Sequence, residues 1–125
     1  MTGRIFILIG LGGLIGSIGR YLTASWLTKL FPASFPYGTF AVNILGSLII
    51  GVVYGLSNRF DWFTPEWRFF LATGVCGGYT TFSSFAYENV NLIQEGNYLT
   101  FATYSISSFA LGLLAVFLGI GLTKI

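Results

Sequence analysis

The sequence contains no histidine, one cysteine, and only six basic and four acidic residues among 125. Without histidine, and with its acids dispersed, the chain lacks a neutral-pH acid–base pair and a ligand set for a transition metal. The single cysteine, Cys76, excludes an internal disulfide, and no glycine run is followed by the Lys-Ser/Thr of a phosphate-binding loop. We therefore expect neither an enzyme nor a nucleic-acid partner.

Apolar residues dominate instead, since the chain is 54% hydrophobic and 18% aromatic. Its uncharged runs cover residues 5–19, 30–58, 69–87 and 96–123. Because a helix of about 20 apolar residues crosses a bilayer, we predict an all-α integral membrane protein with four transmembrane helices in one domain, 1–125. The predicted helices cover residues 3–30, 38–57, 65–94 and 98–122, and a short interfacial loop with two prolines covers 31–37. No signal-peptide cleavage site follows the first run, so we expect the first helix to be retained.

The third predicted helix has an unusual middle, Gly74-Val-Cys-Gly-Gly-Tyr-Thr-Thr-Phe-Ser-Ser-Phe85. Three glycines in five residues disfavour an uninterrupted helix, so we predict a break near residues 75–80, in mid-membrane. Backbone groups freed there cannot face lipid and must be buried, line a watery path or hold an ion. The alternative is that these glycines only allow a neighbouring helix to pack closely.

Two aromatic rings follow this motif. Phe82 and Phe85 are three residues apart, so a resumed helix would place both rings on one face, beside the hydroxyls of Ser83 and Ser84. A phenyl ring is positive at its edge and can attract an anion there. Phenylalanines at this spacing can equally be ordinary filling of a core.

Neutral hydrogen-bond donors recur on two other helices. Thr39 and Asn43 are one turn apart on the second helix, and Thr100, Tyr104, Ser108 and Gly112 form a stripe on the fourth. Each set could line a path or could only join helices. Uncharged donors suit an anion, whereas the buried acids typical of proton or cation coupling are missing from the first, second and fourth predicted helices.

Two charges lie near predicted helix ends. Arg20 could extend to the headgroups, or could place a positive charge at the mouth of a polar cavity and concentrate anions there. Glu88 could be a solvated acid at the interface or a carboxylate at a pore entrance. The spacing alone leaves both alternatives open for each residue.

Small residues repeat at the spacing that favours close helix packing, Gly12-x-x-x-Gly16 and Gly51-x-x-x-Gly55. Four helices with several polar faces do not readily enclose a whole pathway. We therefore expect a dimer, and we expect its subunits to pack at these glycine registers.

The sequence resembles the Fluc (CrcB) family of bacterial fluoride channels over all four predicted helices. The motifs that carry this resemblance are Gly12-Gly13-x-x-Gly16 with Arg20-Tyr21, Gly38-Thr39-x-x-x-Asn43-x-x-Gly46 and, most specifically, Gly74-x-Cys76-Gly77-Gly78-x-Thr80-Thr81-Phe82-Ser83-x-Phe85. The resemblance implies a passive, highly selective channel that exports fluoride across the bacterial inner membrane and gives fluoride resistance. It also implies an antiparallel, dual-topology homodimer with two pores and one central, structural Na⁺.

The resemblance further implies roles for individual residues. Gly77 and Thr80 would offer backbone carbonyls to Na⁺, and Arg20 would make the vestibule positive. The rings of Phe82 and Phe85 would turn their edges to fluoride. The hydrogen-bonding pore residues would be Asn43, Tyr104, Ser108, Thr39 and Ser84.

Two other functions remain as alternatives: a small four-helix, proton-coupled multidrug exporter and a non-transporting membrane assembly subunit. The exporter requires a membrane-embedded acid, and the first predicted helix has Arg20 instead. A charge bias of Arg4, Arg59, Arg68 and Lys124 on one side against Arg20 and Lys29 on the other would favour a cytoplasmic N-terminus. Dual topology, which requires almost no such bias, is thus implied by the resemblance alone.

Overall fold

The structure is a computed structural model that describes residues 2–31 and 34–125. Pro32 and Ala33 of the predicted loop therefore lie outside the described residues. Within these ranges all regular secondary structure is helical, which confirms the all-α prediction. The elements are α1 (Thr2–Leu30), α2 (Tyr37–Arg59), α3 (Pro65–Arg68), a π-helical segment (Phe69–Cys76), α4 (Gly77–Tyr79), α5 (Phe82–Gln94) and α6 (Tyr98–Leu122).

Among the described residues, three helices, α1, α2 and α6, are long and apolar enough to cross a membrane. They leave many large apolar side chains exposed, as expected for surfaces that face lipid rather than water. The remaining helical segments form one bent helix. We call residues 65–79 its first arm and α5, Phe82–Gln94, its second arm.

The first arm packs against α1 through glycine. A β-carbon at Gly16 would overlap the Val75 carbonyl oxygen and would come within 2.9 Å of the Tyr79 nitrogen. A β-carbon at Gly12 would likewise overlap the Phe70 carbonyl oxygen. Because these neighbours are backbone atoms, they cannot move aside as a flexible side chain could. The predicted packing role of the Gly12 and Gly16 register is therefore confirmed.

Helices α2 and α6 also meet at small residues. A β-carbon at Gly51 would overlap the Val116 carbonyl oxygen, and one at Gly55 would overlap the Thr123 side chain. Both glycine registers are thus filled by contacts within one chain. The expectation that two subunits pack at these glycines is wrong, because the spacing indicates close approach without identifying which helix approaches.

The interruption of the bent helix lies at Thr80 and Thr81 rather than at the glycines. Thr80 has φ −88° and ψ 157°, and Thr81 has φ −152° and ψ 117°, so both are extended. Gly77 and Gly78 lie in α4, and the Gly77 N–H bonds the Ala72 carbonyl, five residues back, as in a π-helix. Sequence reasoning expected the break near 75–80 because glycine has low helix propensity; in the structure, contacts with α2 locate it.

Candidate functional site: a cavity at the helix interruption

Each threonine of the interruption ends or begins a helix through its hydroxyl. The Thr80 Oγ1 donates to the Cys76 carbonyl at 2.9 Å, which closes the last turn of α4. The Thr81 Oγ1 accepts from the Ser84 N–H at 3.2 Å and so caps the first turn of α5. The sequence Thr-Thr thus provides one terminus for each arm.

The Asn43 side chain of α2 bonds the backbone between the two arms. Its Nδ2 donates to the Thr81 carbonyl at 3.2 Å, and its Oδ1 accepts from the Thr81 N–H at 2.8 Å. Gly46, three residues later on α2, leaves room for the interruption, because a β-carbon there would overlap the Thr80 methyl group.

These contacts divert donors that a continuous helix would use. The Thr81 N–H would bond the Gly77 carbonyl, and the Ser84 N–H would bond the Thr80 carbonyl. In the structure the first donates to Asn43 and the second to the Thr81 hydroxyl. The carbonyls of Gly77 and Thr80 consequently lose their helical partners, and carbonyl oxygens are ligands that suit a hard cation.

Arg20 on α1 bonds the end of the first arm. Its Nε donates to the Gly78 carbonyl at 3.0 Å, an oxygen whose helical donor is lost at the interruption. A positive charge at a helix C-terminus is favourable because the helix dipole is negative there. Arg20 therefore extends inward to the bent helix instead of outward to the headgroups.

A cavity of about 430 Å³ lies at the interruption. Its lining includes six of the residues singled out in the sequence: Asn43, Gly77, Thr80, Phe82, Phe85 and Ser108. Phe82 is 78% exposed and Gly77 is also exposed, so this side of the cavity lies at the surface of the single chain. The Ser108 Oγ is buried without a hydrogen-bond partner among the described residues, which leaves a donor and an acceptor free beside the cavity.

Three other candidate residues line a separate cleft of about 260 Å³, namely Arg20, Thr39 and Ser84. We call it the Arg20 cleft. Thr81 lines both this cleft and the cavity. The extended segment thus lies between a cleft that contains a positive charge and a cavity that contains the two phenylalanine rings.

The remaining candidate, Tyr104, is fully buried and donates its hydroxyl to Oε1 of Glu88 at 2.8 Å. Thr39 donates to the other carboxylate oxygen, Oε2, at 2.7 Å. Glu88 therefore joins α2, α5 and α6 at one point. The carboxylate accepts both bonds, so the two hydroxyl protons point toward it.

Glu88 is not among the candidate site residues predicted from the sequence, although its spacing carries a signal. Glu88 is three residues after Phe85 and four after Ser84, so all three share a face of α5. In the structure Glu88 is half-buried and hydrogen-bonded to residues of two other helices.

Aromatic rings continue from the cavity to Tyr104. The ring centroids of Phe82 and Phe85 are 5.8 Å apart, and those of Phe85 and Tyr104 are 4.9 Å apart. Phe35 also packs on Tyr104, with an edge-on geometry at 5.3 Å and 73°. These rings and the Glu88 network are therefore adjacent, and a ring can offer a weakly positive edge to an anion.

The chain is similar to known proteins over most of its length. A family model described as "CrcB-like protein, Camphor Resistance (CrcB)" matches residues 7–120. A relative from Leptospira interrogans serovar copenhageni, named fluoride-specific ion channel FluC, is 46% identical over 97% of this chain and 95% of its own length. Relatives with the same name from Gloeothece citriformis and Phocaeicola vulgatus are 49% and 46% identical, over 94% and 97% of this chain and 95% and 99% of their own.

Proposed function

The chain belongs to the CrcB family, and from this membership we propose that it is a fluoride-selective ion channel. The relatives named fluoride-specific ion channel match it over nearly their full lengths. The observation that carries the proposal is the cavity at Thr80–Thr81, where two phenylalanine rings and neutral hydrogen-bonding side chains meet an interrupted helix. A channel conducts without a chemical reaction, in agreement with a family of ion channels rather than enzymes.

In this proposal the protein is a multi-pass protein of the bacterial inner membrane with four transmembrane segments. Besides α1, α2 and α6, the bent helix makes the fourth crossing. Its 30 residues, 65–94, are sufficient for a crossing of about 30 Å even with the extended interruption. The polar interruption is supported away from lipid, because α1 and α2 both contact it.

Fluoride enters through the Arg20 cleft, where the guanidinium concentrates anions. The hydroxyls of Thr39 and Ser84 line this entrance. The Thr39 hydroxyl can donate to fluoride only if it gives up its hydrogen bond to Glu88. The Tyr104 hydroxyl must give up its bond to Glu88 in the same way. Such an exchange replaces one hydrogen bond with another, so the ion is neither held too tightly nor left unsolvated.

Beyond the interruption, the rings of Phe82 and Phe85 and the free hydroxyl of Ser108 replace water around the ion. Asn43 lines the same cavity, although its side chain is already bonded to the Thr81 backbone. The physiological consequence is fluoride resistance. HF crosses membranes as a neutral molecule, ionises in the cytoplasm, and the trapped anion leaves passively through the channel.

The working unit in this proposal is an antiparallel, dual-topology homodimer. The exposure of Phe82 and Gly77 beside the cavity supports it, because the backbone carbonyls freed at this open side would otherwise face lipid. A second copy that covers this side would complete two pathways. The contact would then lie at the cavity and not at the glycine registers.

The freed carbonyls of Gly77 and Thr80 fit a structural Na⁺, because both residues line the same cavity and both lose their helical donors. Na⁺ would supply a fixed positive charge near the dimer centre. The chain's own contribution is to present uncharged oxygen ligands, which are appropriate for a hard cation of this kind.

The decisive experiment is fluoride efflux from proteoliposomes, followed with a fluoride electrode. We expect rapid, electrogenic release that requires a counter-ion path such as valinomycin with K⁺ and that is unchanged by a pH gradient. Chloride-loaded vesicles provide the matched control and should show no comparable efflux. Release driven by a proton gradient would favour the exporter, and absence of flux would favour the assembly subunit.

A further inference from the structure

The contact between Asn43 and Thr81 has the form of a backbone pairing. One carboxamide donates to the Thr81 carbonyl and accepts from the Thr81 N–H, as a residue in a neighbouring strand would do. The two residues are 38 positions apart in the sequence. This two-point contact fixes the orientation of the Thr81 peptide groups as well as their distance from α2.

We propose that Asn43 is a positioning residue whose carboxamide holds Thr81 extended and thereby keeps the bent helix interrupted at the cavity. The consequence for transport rests on the proposed channel function. The consequence for the backbone does not depend on it. In this proposal Asn43 acts on the ion pathway through Thr81 rather than as a ligand of the permeating ion.

The alternative conformation of the segment is a continuous helix. In it the Thr81 N–H would return to the Gly77 carbonyl, and that oxygen would no longer be available at the cavity. Asn43 competes directly for this N–H, with an acceptor at 2.8 Å. It also satisfies the Thr81 carbonyl, which would otherwise lack a partner in an environment without bulk water.

Gly46 completes the surface that recognises the extended segment. It lies almost one turn after Asn43 on α2, and a β-carbon there would overlap the Thr80 methyl group. One face of α2 thus offers a paired donor and acceptor to Thr81 and an empty space to Thr80. The motif Asn43-x-x-Gly46 is therefore complementary to an extended Thr80-Thr81, and would not be required by a straight helix.

The test is nuclear magnetic resonance of the full chain in detergent micelles, with ¹⁵N and ¹³C-carbonyl labels on threonine, in buffer without Na⁺ or fluoride. In Asn43→Ala we expect the Thr81 amide to exchange with D₂O at least about tenfold faster, because its N–H loses the acceptor. The amide of Thr103, in the second turn of α6, should keep its rate. Ser47→Ala is the matched control, because Ser47 bonds only the carbonyl of Asn43 on its own helix and should leave Thr81 unchanged.

A second variant tests the two contacts separately. Asn43→Asp keeps an oxygen for the Thr81 N–H and loses the NH₂ that donates to the Thr81 carbonyl. We expect an exchange rate within about threefold of the wild type and a clear change in the Thr81 carbonyl shift. Should Asn43→Ala fail to fold, an unchanged carbonyl shift in Asn43→Asp would overturn the proposal.

Efflux measured on the same proteins separates this inference from the proposed function. Loss of efflux in Asn43→Ala with unchanged Thr81 exchange would overturn the positioning role and assign Asn43 to the ion itself. Faster Thr81 exchange together with reduced efflux supports the positioning role. If the wild type carried no fluoride, the channel would be rejected, while the exchange result would still decide the role of Asn43 at the backbone.

Discussion

The first arm of the bent helix contacts α1 mainly through backbone, whereas the second arm contacts its neighbours through polar side chains. At Gly16 no space remains for even one methyl group against the Val75 carbonyl. Along the second arm, Glu88 accepts from Thr39 and Tyr104, and Asn89 accepts from Ser105 at 3.3 Å. The first arm is therefore positioned mainly by shape, with hydrogen bonds to α1 only near its end, from Arg20 to Gly78 and from Tyr79 to Thr23. The second arm is positioned by hydrogen bonds.

A pathway through a membrane requires a firmly packed framework and polar groups that remain available to an ion, and the two arms divide these requirements. Close backbone packing at small residues fixes the first arm and needs few polar side chains. Membrane helices commonly associate in this way. The hydrogen-bonded arm places Ser84 on the Arg20 cleft and the rings of Phe82 and Phe85 on the cavity, which are the two sides of the proposed ion pathway. We expect substitutions at the contact between the first arm and α1 to destabilise the fold. We expect substitutions along the second arm to reduce fluoride efflux before they reduce stability.

The largest effect is expected for Gly16→Ala. The added methyl group would overlap the Val75 carbonyl, and the arm could accept it only by moving away from α1. We expect a destabilisation of about 3 kcal/mol or more, measured as a lower unfolding midpoint and a loss of monodisperse protein in gel filtration. Gly13→Ala is the control, because no atom of the described residues lies within 4 Å of a β-carbon there. Equal stability of both variants would contradict the shape-based account.

Phe82→Ile and Phe85→Ile come next and address the second arm. Each replaces a ring beside the cavity with an aliphatic group that has no positive edge. We expect fluoride efflux to fall at least about tenfold, while gel filtration and the unfolding midpoint stay near the wild type. Phe117→Ile, at an exposed position of α6 away from this lining, should conduct normally. Wild-type efflux in both cavity variants would identify the rings as filling.

Tyr104→Phe should have a smaller effect on the same arm. It removes the hydroxyl that donates to Glu88 at 2.8 Å and keeps the ring that packs on Phe85. We expect efflux about fivefold slower with the fold retained, because one carboxylate oxygen loses its donor next to the pathway. Tyr98→Phe, at the exposed start of α6, is the matched control. An unchanged rate would place the pathway away from Tyr104.

Ser105→Ala is expected to have the smallest effect. It removes the bond to Asn89, which joins the second arm to α6 away from the cavity lining. We expect a loss of about 0.6 kcal/mol in stability and efflux within about twofold of the wild type. A large loss of efflux at normal stability would extend the pathway beyond Glu88 and weaken the distinction between packing and transport along this arm.

Much of the site was accessible from spacing and residue type. Phe82 and Phe85 are predicted from their shared helix face and their ring chemistry, and Ser108 is predicted from the polar stripe of the fourth helix. The structure places all three on one cavity. Glu88 was not selected, because its two donors come from residues 49 and 16 positions away. Helical spacing gives the face of a side chain and contains no information about its partner on another helix.

The sequence by itself determined the environment of this protein and its helices, because few charges and long apolar runs are compatible with a bilayer and with little else. The sequence also determined which groups can contact an ion, namely neutral hydrogen-bond donors and the edges of aromatic rings. Tertiary structure alone decided where the bent helix is interrupted and which helices the glycines join. The physical reason is that an interruption is stable only where another helix, here through Asn43, replaces the backbone bonds that it removes.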